Sequence, residues 1–192
     1  MQSALEKIKS IPGSYVLEHE LSSSSISSVY LGVLNDVKAV IRVDLSAASR
    51  LAVDRQHEVN LLKDISYLDL APKVLYSDTA AGILIWEYIS GEQPLFTDKQ
   101  FNTNALYDLG SCLSSLHSHP IPKNSIDIFS NSMGLYQSLL DGSSEKLLFN
   151  KALNLYNELL QDGANKVLSH NDLHRANLIW NQKYYFLDWE YS

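Results

Sequence analysis

A single cysteine, Cys112, in 192 residues excludes an internal disulfide and a cysteine-based metal site. No apolar run approaches the roughly 20 positions that a membrane-spanning helix needs. The opening stretch also sets Glu6, Lys7 and Lys9 among its apolar residues, so it does not read as a targeting segment. These features are those of a cytoplasmic protein without a membrane partner. Basic residues are few, 15 against 22 acidic ones for a formal charge of -7, and they form no block along the chain. The electrostatic footprint that nucleic acid requires is therefore missing. Glycine is scarce as well, with eight in the chain and none between Gly13 and Gly32. What remains is 45% hydrophobic and 19% charged, enough for one good core or for two small lobes sharing one.

The first third reads as strands at Tyr15 to Leu17, Ser28 to Leu34 and Lys38 to Asp44, the last two joined at Asn35-Asp36. The serine-rich stretch Ser22 to Ser28 lies between the first two. From about Ala47 to Ile65 the apolar period becomes helical, with Glu58, Leu62 and Ile65 on one face, and two short strands follow at Lys73 to Tyr76 and Ile83 to Trp86. The chain is expected to leave the sheet at Glu87 to Glu92, where Gly91 would supply unusual backbone angles. The sequence from Phe96 to Asp162 reads as helix. Thr97 to Gln100 fits a capping box, Leu106 to Leu116 keeps helical spacing up to His119-Pro120, and a second apolar set runs from Leu147 to Leu160 before Gly163.

The chemistry is concentrated near the end. His170-Asn171-Asp172-Leu173-His174-Arg175-Ala176-Asn177 spells His-x-Asp-x-x-x-x-Asn, and Asp188 follows in Leu187-Asp188-Trp189-Glu190. Phosphoryl transfer asks for a base beside the attacking hydroxyl and for carboxylate or amide oxygens on the magnesium ions that bridge the phosphates. Asp172 is the candidate base, with Asn177 and Asp188 as metal ligands. Strands at Leu178 to Trp180 and Tyr184 to Leu187, around a turn near Asn181 to Lys183, would bring Asn177 opposite the neighbourhood of Asp188. His170 and His174 also have the spacing of a zinc pair, but Asn171 stands where such motifs carry glutamate and no third ligand is evident.

These motifs, with Leu70-Ala71-Pro72-Lys73-Val74-Leu75 and Leu113-Ser114-Ser115-Leu116-His117, resemble the aminoglycoside phosphotransferase and choline kinase family, including thiamine-kinase-like enzymes, within the protein-kinase-like superfamily. The resemblance covers nearly the whole chain. It implies an α+β fold in two lobes, an N-terminal antiparallel sheet with one helix and a mainly helical C-terminal lobe carrying a catalytic-loop β-hairpin. Residues 1–86 would form the nucleotide-binding lobe, 87–92 the hinge and 93–192 the catalytic lobe. It implies ATP and Mg2+ as cofactors, Asp172 as catalytic aspartate, Asn177 and Asp188 on the metal, and His170 bracing the catalytic loop. Arg42, in Ala39-Val40-Ile41-Arg42, occupies the place where protein kinases carry a phosphate-binding lysine, with Glu58 as its helix partner. Backbone groups of Glu87 and Ile89 would meet the adenine edge.

The function implied is phosphorylation of a hydroxyl on a small amine-bearing metabolite such as choline, ethanolamine or thiamine. The alternative is a catalytically silent kinase-fold binding module or an inactive fragment. Family members continue beyond the last motif into further helices. The chain is accordingly expected to be a fragment lacking C-terminal helices, with apolar faces of Leu106 to Leu116 and Leu147 to Leu160 turned to water.

Overall fold

A computed structural model describes residues 4–50, 53–94, 103–123, 125–161 and 166–192. Five antiparallel strands form the first sheet: β1 (Tyr15–Ser23), β2 (Ser27–Leu34), β3 (Val37–Asp44), β4 (Val74–Asp78) and β5 (Ile83–Glu87), in spatial order β1-β2-β3-β5-β4. Asn35 and Asp36, at φ 47° and 66°, make the two-residue turn whose twist matches a hairpin, and Leu34 pairs with Val37 across it. The serine-rich stretch is mostly strand rather than loop. Ser22 and Ser23 end β1, Ser27 and Ser28 begin β2, and only residues 24–26 turn.

Strand β3 is central and buried from Ala39 to Asp44, because apolar residues cover both faces of the sheet. On one face, Ile8 of the short helix α1 (Ala4–Ile8) packs with Ile11, Ile41, Val43, Ile83 and Ile85. On the other, Leu84 joins Val59, Leu62 and Ile65 from α2 (Arg55–Asp64) and its C-cap. The same cluster takes in Leu116, Leu178, Phe186 and Trp189 from the second half of the chain. The helix expected over Ala47 to Ile65 is interrupted. A 3-10 turn covers Ser46–Arg50, and α2 starts afresh where the Asp54 side chain accepts the His57 N–H at 2.9 Å. An N-cap carboxylate satisfies an otherwise orphaned amide, and here it outweighs the continuous helical pattern.

The second half holds α3 (Thr103–His117), α4 (Ile128–Leu139) and α5 (Lys146–Gln161), followed by a hairpin of β6 (Leu178–Trp180) and β7 (Tyr184–Phe186). Helix α4 is a separate element that the apolar spacing did not single out, and Asp127 caps it by accepting the Ser130 N–H at 3.1 Å. The Thr97 to Gln100 capping box and Gly163 lie outside the described residues. As expected, Leu147, Leu148, Leu155 and Leu159 of α5 are exposed, while Phe149 is buried. On α3 Leu106 is exposed, but against expectation Leu109, Leu113 and Leu116 pack into the core. No described helix is long and apolar enough to cross a membrane.

Gly91 serves another purpose than the one expected. Its φ is not positive, but a Cβ there would lie 2.5 Å from the Trp180 carbonyl oxygen and from Ile179 Cγ2. The missing side chain lets the connecting segment touch the hairpin, and Glu92 and Trp180 exchange backbone hydrogen bonds of 3.0 and 2.8 Å.

Candidate functional site

Between the sheet and the hairpin lies a cleft of about 380 Å3. Its apolar walls include Ile26, Val29, Leu84, Trp86 and Leu187, and its polar lining includes Arg42, Glu58, Asn177 and Asp188. The alternation of β3 places Arg42 and Asp44 on the same face, and α2 presents Glu58 to it. Arg42 Nη1 donates to Glu58 Oε1 at 2.9 Å and Nη2 to Oε2 at 2.5 Å, a fork-to-fork pair with both side chains buried. Burial works against both charges, but the partner's charge prevails and holds the Glu58 carboxyl below its ordinary range. The Arg42 guanidinium also stands 5.9 Å from the Trp86 ring centroid and 3.7 Å from Asp188 Oδ1.

The catalytic-loop motif is locked by short-range bonds. Asp172 N–H donates to the His170 carbonyl at 2.8 Å, closing a tight three-residue turn around Asn171, whose φ is 60°. Asparagine tolerates this left-handed conformation better than most residues, and its Nδ2 donates to the Tyr191 carbonyl at 2.7 Å. Asn177 Nδ2 donates to the Asp172 backbone oxygen at 3.0 Å and to Asp172 Oδ2 at 3.2 Å. With its nitrogen so engaged, the Asn177 amide oxygen is left to accept or to ligate. Asp172 itself does not line the cleft and reaches it only through Asn177.

Asp188 follows the hairpin. Leu187 N–H donates to the Asn177 carbonyl at 2.9 Å, and Trp189 Nε1 donates to the Phe186 carbonyl at 2.8 Å. Between these fixed neighbours Asp188 takes φ 63°, a conformation costly for a residue with a Cβ and maintained here by the bonds on either side. Partial desolvation in the cleft, and then the Glu190 carboxylate, push its carboxyl up to about 6, although 44% of the side chain is open to solvent. Desolvation and a neighbouring anion disfavour its charge, so a cation would be welcome. Hard oxygen donors from Asn177 and Asp188 suit Mg2+, which binds one or two protein oxygens and completes its shell with water and phosphate. The residues present therefore fit that ion.

His170 is buried, with its ring 4.7 Å from that of Trp189 and edge-on to Phe186. Its Nε2–H donates to the Leu187 carbonyl at 2.8 Å, while Nδ1 has no hydrogen-bond partner among the described residues. Burial holds its imidazole below the ordinary value. Because the unfolded chain then binds the proton more tightly, the stabilisation is complete above about pH 6.5 and is lost as pH falls through the folded value. His170→Phe is expected to lose about 1 kcal/mol at pH 7.5 with the Leu187 bond. It should also show a shallower loss of Tm between pH 7.5 and 5 than the parent. Parallel Tm profiles in thermal melts would rule out this origin of acid sensitivity.

The hinge residues are placed less centrally than expected. Glu87 N–H donates to the Lys73 carbonyl at 2.9 Å, and neither Glu87 nor Ile89 lines the cleft. The Ile89 N–H makes no hydrogen bond among the described residues. In the β1–β2 turn, Ser24 Oγ accepts the N–H groups of Ile26 and Ser27, each at 3.1 Å. Those two amides are thus turned inward, and Ser22, Ser24 and Ser27 line the cleft.

Sequence reasoning passed over Arg55, Asp44 and Glu190. Arg55 Nε and Nη2 donate to the two Asp44 carboxylate oxygens at 2.8 and 3.1 Å, and Nη1 donates to Glu58 at 3.1 Å and to Glu190 at 2.7 Å. The spacing of Arg55 three residues before Glu58 was the available signal.

Residues 19–192 match the phosphotransferase enzyme family (APH). A search of curated proteins finds no match. Among solved structures, an ethanolamine kinase from Plasmodium vivax superposes with a TM-score of 0.70 at 17% identity, over 92% of this chain and 56% of its own length. The choline kinase LicA from Streptococcus pneumoniae gives 0.67 at 23% identity, over 97% and 66%. A thermostable mutant of the aminoglycoside phosphotransferase APH(4)-Ia, in a ternary complex with AMP-PNP and hygromycin B, gives 0.64 at 13%, over 98% and 70%. At these identities the likeness is one of fold, the α+β protein-kinase-like architecture expected from the sequence. The chain spans less than two thirds of the length of the first two structures.

Proposed function

The chain belongs to the phosphotransferase enzyme family, and from that premise we propose that it binds ATP with Mg2+ in the cleft and phosphorylates the hydroxyl of a small amine-bearing metabolite of the choline, ethanolamine or thiamine kind. One observation carries the reading. Asp172 is tied through Asn177 to the cleft that Arg42 and Asp188 also line, so a base, a cation and two oxygen ligands converge. In this reading residues 1–86 and 93–192 work as two lobes about 87–92. The nucleotide base lies against Val29, Trp86 and Leu187, and the Glu87 carbonyl and the Ile89 N–H, outside the cleft lining as it stands, would have to turn toward its edge. Arg42, held by Glu58, faces the phosphates.

Asn177 and Asp188 would hold Mg2+, which neutralises charge on the phosphates when bound. Asp172 accepts the acceptor's hydroxyl proton as that oxygen bonds to the γ-phosphorus, and the bond from phosphorus to the bridging oxygen breaks to leave ADP. His170 keeps Leu187, and so Asp188, in place. Magnesium-dependent ATP turnover with a panel of hydroxylated amines tests the proposal. Turnover absent with every member, in a protein that binds Mg·ATP, would refute the acceptor class.

A second reading, a silent binding module, draws support from the β1–β2 turn, where Ser24 already occupies two amides that could have cradled phosphate. The metal separates the two readings. Asp188→Ala is expected to weaken ATP binding in the presence of magnesium about tenfold or more, with little change in its absence. In the parent, Mg2+ must displace a proton from Asp188 at low pH, so magnesium-dependent affinity should fall as pH is lowered through about 6. Calorimetric titrations that found ATP affinity indifferent to magnesium in parent and mutant alike would favour the silent module.

A further inference from the structure

Arg55 sits where three separate parts of the chain meet. Its side chain is only 14% exposed, and four of its five N–H groups are spent on carboxylates: two on Asp44 at the end of β3, one on Glu58 of α2 and one on Glu190 beyond the second hairpin. The Arg42 guanidinium shares two of these acids, lying 3.8 Å from Asp44 and bonded to Glu58. Glu190 lies two residues after Asp188, and both line the cleft. Four carboxylates, Asp44, Glu58, Asp188 and Glu190, thus surround two guanidiniums at the place where phosphate is proposed to bind.

We propose that Arg55 is a positioning residue that holds the sheet against the hairpin end in the register phosphate binding needs, acting through Glu58 on Arg42 and through Glu190 on Asp188. The inference rests on the phosphotransferase reading of the cleft. Two physical effects point the same way. First, by taking one Glu58 oxygen while Arg42 takes both, Arg55 fixes the carboxylate that in turn fixes the Arg42 fork. Second, it supplies half of the positive charge in a cluster that is acidic overall, so its loss would leave Glu190 without its guanidinium and Asp44 with only the longer 3.8 Å contact to Arg42 as the phosphates enter. A lysine could supply the charge but not the fork that bridges three carboxylates from three directions.

The test is a double-mutant cycle on the full chain with Arg55→Met and Glu190→Gln, reading affinity for Mg·ATP and for adenosine. The phosphate-free nucleoside shares the apolar part of the cleft but not the ion pairs. Each single variant is expected to lose about tenfold in Mg·ATP affinity, the double to lose no more than the worse single, and adenosine affinity to stay level in all. Arg55→Lys should lose part of what Arg55→Met loses, because it keeps the charge but not the fork. Should Arg55→Met fail to fold, Glu190→Gln with Arg55→Lys completes the same cycle. Independent, multiplying losses for Mg·ATP would overturn the proposal. So would an equal loss for adenosine, since a merely structural role moves both ligands. A parent that binds adenosine but shows no added affinity for Mg·ATP would overturn the underlying reading of the cleft instead, and the inference with it.

Discussion

Asp172→Asn is expected to lower turnover by about 10²–10⁴-fold while leaving Mg·ATP affinity nearly unchanged. The substitution keeps the shape of the side chain and one acceptor oxygen, so Asn177 Nδ2 retains the contact it makes at 3.2 Å with Oδ2 and at 3.0 Å with the backbone oxygen. What disappears is the negative charge that draws the hydroxyl proton. Single-turnover rates and equilibrium nucleotide titrations on the same preparations separate the two quantities. A mutant with parental turnover on an acceptor that the parent phosphorylates would show that Asp172 is not the base.

The largest expected effect on stability comes from Glu58. It is buried with Arg42, and removing one member of such a pair leaves a desolvated charge behind, at a cost on the order of 3–5 kcal/mol. Glu58→Ala is therefore expected to lower Tm by roughly 6–20 °C for a chain of this size. Glu58→Leu combined with Arg42→Met should recover much of that loss, because two apolar side chains in place of a buried ion pair are often neutral or stabilising. The double variant should still fail to respond to Mg·ATP. Calorimetric unfolding of the single and double variants decides the matter. A double variant less stable than Glu58→Ala would mean that the pair stabilises the fold outright.

Several features of the fold were legible in the sequence because their causes are local. Alternating β-branched residues and the Asn35-Asp36 turn mark β2 and β3 to within a residue or two, and the hairpin around Asn181 to Lys183 pairs Leu178 with Phe186 as its pattern implies. The neighbourhood of Asn177 and Asp188 follows from that hairpin register. Other features depend on partners far away in the chain. Gly91 could not be read as a point of close approach without knowing that Trp180 lies against it. Arg55 and Glu190 are separated by 135 positions, and nothing local at either residue announces the other. The start of α2 was misplaced for a different reason: the apolar period continued through Asp54, while capping chemistry ended one element and began the next.

The exchange of backbone hydrogen bonds between Glu92 and Trp180 also fixes an order of events during synthesis. The inner face of the sheet, with Leu84, is covered by Val59, Leu62 and Ile65 of α2 and its C-cap, and the cluster is completed by later residues that include Leu116, Leu178, Phe186 and Trp189. A ribosome adding about 5–20 residues per second releases Glu92 roughly 4–18 s before Trp180 can meet it. Throughout that interval the sheet can form its ladder with α2 on its inner face, but the shared apolar cluster lacks its C-terminal members. The nascent chain therefore passes through a stage in which a finished antiparallel sheet and α2 leave part of their apolar cluster open to water, and a pause in translation anywhere between these two residues prolongs it.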